Sequence, residues 1–157
     1  MTITNPVLGI IGGGQLGSML ASAAKKFKIK TIVLSDDLKA PAKNFCDEII
    51  ITDYKKIKKI DDFINKVDLV TFEFENIPFK VLDYILKHKP IFPKPSINQL
   101  LQNRFTEKKF VNNEGIKTTN YVLIKNKSDI LDNETLLPGF LKTCTLGYDG
   151  KGQYIIN

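Results

Sequence analysis

Three segments carry the residue types from which chemistry can be built. The first is Gly12-x-Gly14-x-x-Gly17, which follows an apolar run and opens a helical pattern. Glycines there let the backbone turn sharply and approach an anion closely. The helix start behind them offers unpaired N–H groups and a favourable dipole to a phosphate. Asp36 stands roughly 20 residues on, where a dinucleotide-binding fold places the acid that meets a ribose. By itself this segment fits a nicotinamide or flavin enzyme, and it also fits tight packing of a helix on a strand. The second segment is Thr71-Phe72-Glu73-Phe74-Glu75-Asn76. Two acids at the end of an apolar strand suit a ligand bearing an amine or ribose hydroxyls, or the capping of a helix that starts at Pro78. Their side chains share a face if the strand runs through both. The third is Lys142-Thr143-Cys144-Thr145-Leu146-Gly147-Tyr148-Asp149-Gly150-Lys151-Gly152-Gln153. A strand ends in a lysine, a glycine-rich loop carries Asp and Lys, and a strand follows. Backbone N–H groups in such a loop can fold over phosphates while Lys142 pairs with their oxygens. No helix follows the loop, so it is not a Walker A sequence.

Arg104 is the single arginine among 23 basic residues. A chain that otherwise uses lysine has a reason to keep arginine where a planar, forked donor is needed. Weaker candidates are His88, on a lysine-rich helix end, and the separated Cys46 and Cys144. No metal-spaced Cys or His pair and no nucleophile elbow is present in the sequence, which argues against metallohydrolase and serine-hydrolase chemistry.

The elements that must position these residues follow from periodicity. Residues 7–11 read as a buried strand and 15–26 as a helix, with Leu16, Met19, Leu20 and Ala23 or Ala24 expected on its packed face. Strands are expected at 31–34, 48–52, 69–74 and 91–92. Helices are expected at 56–66, on the stripe of Ile57, Ile60, Phe63 and Ile64, and after Pro78, on Val81, Leu82, Ile85 and Leu86. This alternation predicts an α/β fold, a Rossmann-like parallel sheet with helices on both faces. A composition shift at Pro93-Lys94-Pro95-Ser96 divides a domain at 1–95 from a second at 96–157. The second is expected to hold one helix from Ser96 or Asn98 to Asn113, closed by Gly115, then strands at 121–124, 139–143 and 153–156 and a brief helix at 128–131.

Composition narrows the function classes. The chain has 157 residues, 43% apolar and 25% charged, which is globular rather than disordered. The longest apolar runs fall far short of the ~20 residues that span a bilayer, and the start of the chain lacks a secretory pattern. A cytoplasmic setting with two free thiols is therefore expected. The net charge of +6 comes from lysines scattered over helix faces, so neither nucleic acid nor membrane is an expected partner.

Taken together, Gly-Gly-Gly-Gln-Leu-Gly at 12–17, Thr-Phe-Glu-Phe-Glu-Asn at 71–76, Gln-Asn-Arg-Phe-Thr-Glu-Lys at 102–108 and Gly-Tyr-Asp-Gly-Lys-Gly-Gln at 147–153 resemble the 5-(carboxyamino)imidazole ribonucleotide synthase family. These are ATP-grasp carboxylases of purine synthesis. The resemblance implies a pre-ATP-grasp domain followed by the start of an ATP-grasp domain. It implies ATP-dependent carboxylation of 5-aminoimidazole ribonucleotide with bicarbonate through carboxyphosphate. Arg104, Lys142 and the loop residues Gly147, Tyr148, Asp149, Gly150, Lys151, Gly152 and Gln153 would meet ATP. Asp149 and Lys151 would be catalytic. Gly14, Gln15 and Leu16, at the turn tied to the substrate's phosphate, would bind the ribonucleotide with Glu73 and Tyr148. Ser18 stands where the family commonly has arginine. The family uses Mg²⁺, whose ligands are expected outside these residues, and is typically a homodimer. The chain is accordingly expected to be a fragment with little activity alone. A nicotinamide-dinucleotide oxidoreductase domain and a non-catalytic nucleotide-binding fragment are the alternative readings.

Overall fold

The computed structural model describes residues 5–147 and 150–157. The chain divides into two compact units, residues 1–98 and 99–157. The first is built on β1 (Val7–Ile11), β2 (Lys30–Ser35), β3 (Glu48–Ile51), β4 (Leu69–Phe72) and β5 (Ile91–Phe92), connected by α1 (Gln15–Lys26), α2 (Ile57–Ile64) and α3 (Phe79–Leu86), with a 3₁₀ turn at Pro41–Asn44. The strands form one parallel sheet in the order β3-β2-β1-β4-β5. Gly9 pairs with Ile32 on one side and Val70 on the other, which puts β1 at the centre. In such sheets the C-terminal strand ends frame the ligand crevice.

Strand alternation splits the apolar residues between two faces. Ile11, Ile32, Leu34 and Val70 pack with Ile60, Phe63 and Ile64 of α2 and with Val81, Leu82 and Ile85 of α3. Ile10 and Val33 pack with Ala21 of α1 and with Ala42. Helices thus cover both faces of the α/β sheet, as periodicity indicates. Leu86, expected in the packed stripe, is exposed. The side chain of Ile57 lies outside the described residues.

The packed face of α1 is a correction. Gly17, Ser18, Ala21 and Ala24 are the buried residues, whereas Leu16, Met19 and Leu20 are 56%, 60% and 39% exposed. The helix lies so close to β1 that only small side chains fit beneath it. The Ser18 hydroxyl donates to the Gly14 carbonyl at 2.8 Å, and Gly17 rests on the Gly12 carbonyl.

After α4 (Pro95–Leu101) the second unit contains α5 (Arg104–Asn113), α6 (Ser128–Leu131), β6 (Gly139–Lys142) and β7 (Gln153–Ile156). The single helix expected over 96–113 is two helices. Asn103 caps α5, its side chain accepting from the N–H groups of Phe105 and Thr106, and its extended backbone breaks the path. Gly115 follows with φ +80°, as expected of the residue after a helix end. The strand expected at 121–124 does not form. That segment lies against α5 through side chains instead: Tyr121 meets Phe105 edge to face at 5.8 Å, and Lys108 donates to the Thr119 hydroxyl at 2.7 Å. β6 and β7 pair antiparallel, with Phe140 opposite Ile155 and Lys142 opposite Gln153. Phe140 and Ile155 are 64% and 69% exposed. Among the described residues no helix is long and apolar enough to cross a membrane.

Candidate functional site

In the first unit the site forms where β1, β2 and β4 end. Gly12 leaves β1 with φ +113°, and Gly14 occupies the cap position of α1. β4 stops at Phe72, one residue before Glu73. The two acids therefore do not share a strand face. Glu73 is half-buried and reaches the glycine turn, whereas Glu75 is exposed and offers its backbone carbonyl to the buried Asn98 amide at 3.0 Å.

The Glu73 carboxylate faces the glycine turn, where the backbone N–H groups of Gly17 and Gly14 favour its charged form. Its Oε1 lies 2.5 Å from where a Cβ on Gly12 would stand. Burial pushes the Glu73 carboxyl above the ordinary carboxylate range, outweighing the N–H groups that pull it down. The folded protein thus binds this proton more tightly than the unfolded chain. The stability tied to the protonated form is full below the usual value near 4.5 and is lost as pH rises through the raised folded value. Relative to Glu73→Gln, which cannot titrate, the wild-type denaturation midpoint is expected to fall across that window. A difference that stays flat with pH contradicts this.

Tyr54, three residues beyond β3, is 5% exposed. Its hydroxyl has no hydrogen-bond partner among the described residues. Burial, then Asp36 at the end of β2, then Glu73 hold the phenol protonated. Sequence reasoning missed Tyr54. The available signal was its place just after the C-terminal end of a parallel strand. Gln15 and Leu16 are exposed in the first turn of α1; first-turn N–H groups lack intrahelical partners and can face a ligand.

In the second unit Arg104 opens α5. Its guanidinium donates to the Gly147 carbonyl at 2.9 Å, and its backbone N–H donates to the Cys144 carbonyl at 2.8 Å. The lone arginine therefore fastens the near end of the glycine-rich loop. Thr143 fastens the far end, its N–H donating to the Gly152 carbonyl at 2.8 Å. Gly150 and Gly152 both adopt positive φ, and Gln153 begins β7. Lys142 ends β6 on the exposed side of the hairpin, its ammonium 5.6 Å from the Phe140 ring centre. Arg104, Lys142 and Cys144 border a cavity of about 540 Å³ that Tyr121 and Leu141 also line. The structure thus brings Arg104, Lys142 and the loop ends together within this unit. Tyr148 and Asp149, expected at the loop's tip, lie outside the described residues. Lys151 stands in the turn before β7.

Among the described residues no group of three or more His, Cys, Asp or Glu side chains is placed to hold a metal ion. The described residues thus present no carboxylate set for Mg²⁺. His88, exposed at the end of α3, bonds the Tyr84 carbonyl through Nδ1 at 2.9 Å. Cys46 and Cys144 are free thiols, and burial raises that of Cys46.

Known proteins share both the sequence and this architecture. N5-carboxyaminoimidazole ribonucleotide synthase of Brucella melitensis is 39% identical over 154 residues, 93% of this chain and 41% of that protein. The crystal structure of N5-carboxyaminoimidazole synthetase from Staphylococcus aureus complexed with ADP matches with a TM-score of 0.91 at 37% identity, covering 97% of this chain and 41% of that one. N5-carboxyaminoimidazole synthase from Aspergillus clavatus, in complex with ADP and 5-aminoimidazole ribonucleotide, matches with a TM-score of 0.82 at 25% identity, covering 98% of this chain and 41% of that one. The chain spans about two-fifths of the length of the curated relatives it matches. Over residues 6–102 its sequence matches the ribonucleotide synthetase preATP-grasp domain, well over half of the chain, and the chain belongs to that family.

Proposed function

We propose that this chain is the part of an ATP-grasp carboxylase that presents the ribonucleotide-side residues and the loop over the ATP phosphates, acting in the conversion of 5-aminoimidazole ribonucleotide to its N5-carboxyamino form. In that reaction bicarbonate attacks the γ-phosphorus of ATP and releases ADP, giving carboxyphosphate. The exocyclic amine then attacks the carboxyl carbon, phosphate leaves, and the amine loses a proton. The observation that carries the reading is the fastened glycine-rich loop, with Arg104 on Gly147 and Lys142 at the adjoining strand end. The ADP bound in the Staphylococcus aureus and Aspergillus clavatus relatives and the ribonucleotide bound in the latter support it.

Lys142 pairs with phosphate oxygens. Arg104 uses one nitrogen to hold the loop and turns the rest of its fork to phosphate, which a lysine cannot do. Gly147 to Gln153 supply backbone N–H groups, with Asp149 and Lys151 at the reacting centre and Tyr148 beside the substrate. In the first unit Glu73 accepts from the ribose hydroxyls or the amine. Gly14, Gln15 and Leu16 border the substrate, with the first-turn N–H groups of Gln15 and Leu16 available to its phosphate. Bicarbonate, a homodimeric assembly and a cytoplasmic setting belong to the proposal through the family resemblance.

Arg104→Lys is expected to weaken ADP binding by about 1–3 kcal/mol, the scale of a lost charge-assisted hydrogen bond. Calorimetry of the two proteins checks it. Equal ADP affinity would remove Arg104 from the site.

A further inference from the structure

We propose that Glu73 is a built-in anion filling the crown of the glycine-rich turn, so that this dinucleotide-like fingerprint admits no dinucleotide pyrophosphate and leaves only its rim, at Gln15 and Leu16, to a mononucleotide. In a turn that cradles a pyrophosphate, glycines clear space for the ligand's oxygens and backbone N–H groups point at them. Here an oxygen of the protein stands in that space. Oε1 of Glu73 lies 2.5, 3.4 and 3.7 Å from the points where a Cβ would stand on Gly12, Gly17 and Gly14. The N–H groups of Gly14 and Gly17 lie on the same side of the turn and favour the charged form of this carboxylate.

The other side of the turn is closed as well. A Cβ on Gly13 would come within 2.6 Å of the Ala40 methyl and 2.7 Å of the Ser35 hydroxyl, and the Ala42 N–H donates to the Gly13 carbonyl at 3.1 Å. The crown is thus enclosed by Glu73 and by the Ala40–Ala42 segment. The oxygen blocks the space whether or not it is ionised, and when ionised it also repels a second anion. This accounts for the dinucleotide spacing of Gly12, Gly14 and Gly17 in this chain without a dinucleotide. It deepens the ribonucleotide assignment made above for this turn, and its test uses neither ATP nor ribonucleotide, so the two can fail separately.

The test is amide NMR of the ¹⁵N-labelled chain titrated with inorganic pyrophosphate, followed at Gly14 and Gly17. In the wild type these two resonances are expected to stay in place. In Glu73→Ala, which empties the crown, they are expected to shift, with at least ten-fold tighter binding at the turn. Equal shifts in both proteins, or no gain in Glu73→Ala, overturn the proposal. Should Glu73→Ala fail to fold, Glu73→Ser, which keeps a polar side chain too short to reach the crown, answers the same question. Its Gly14 and Gly17 amides are expected to shift with pyrophosphate as those of an emptied crown do, and their staying in place overturns the proposal.

Discussion

Gly17→Ala is expected to destabilise the first unit, although alanine is the better helix former. Replacing glycine by alanine inside a helix favours the folded state by roughly 0.5–1 kcal/mol. At Gly17, in the first turn of α1, the added carbon would overlap the Gly12 carbonyl oxygen. That atom is backbone fixed by the turn out of β1, whose Gly12 N–H is bound to the Leu34 carbonyl at 2.9 Å. Helix and strand must separate, and overpacking of this kind costs about 1–3 kcal/mol. The upper end is expected because a carbonyl cannot rotate aside as a flexible side chain can. The net loss corresponds to a melting temperature lower by on the order of 10 °C for a unit of this size. Gly14→Ala is the control. A Cβ there meets nothing nearer than Glu73 Oε1 at 3.7 Å, so less than about 1 kcal/mol is expected. Thermal unfolding of both variants checks the pair. A Gly17→Ala protein as stable as Gly14→Ala contradicts the close helix–strand contact.

Lys142→Ala is expected to have the largest effect on chemistry. Lys142 ends β6 in register with Gln153, at the mouth of the loop. The strand pairing fixes the Lys142 backbone beside a fastened loop, so in the proposed site its charge would need little reorganisation for phosphoryl transfer. Losing one such preorganised group typically lowers turnover roughly 10²–10³-fold. Lys142 is exposed, and its ammonium lies over the ring of Phe140, so the fold is expected to survive. Steady-state kinetics of an active assembly containing this chain, with circular dichroism as the folding control, checks it. Unchanged turnover would exclude Lys142 from the phosphate site.

Much of the first unit was legible because its signals are local. The apolar run of β1, the glycine turn and the period of α2 each mark one element, and alternation of strand and helix gives the parallel sheet. Glu73 stood out as an acid closing an apolar strand. What was not legible depends on distance through space. The packed face of α1 was misread because close approach selects small residues, and a stripe of large apolar residues then mimics a core face from the outside. The break at Asn103 had a sequence signal, an Asn directly before the Arg-Phe-Thr-Glu start of α5, but the apolar residues on either side suggested one continuous helix. Residues 121–124 have strand composition, and a strand needs a neighbour that the described residues do not place beside them. The contact of Glu73 with Gly12, Gly14 and Gly17, and that of Arg104 with Gly147, join residues 43 or more positions apart, beyond any local pattern.

In the proposed function these residues serve an ATP-dependent carboxylation of an aminoimidazole ribonucleotide. The most direct measurement is ADP release by a folded chimera in which this chain replaces the matching two-fifths of the Staphylococcus aureus relative. The expected result is ADP release that requires both 5-aminoimidazole ribonucleotide and bicarbonate and that collapses in Lys142→Ala. ADP release no faster than in Lys142→Ala, or indifferent to the ribonucleotide, would contradict it.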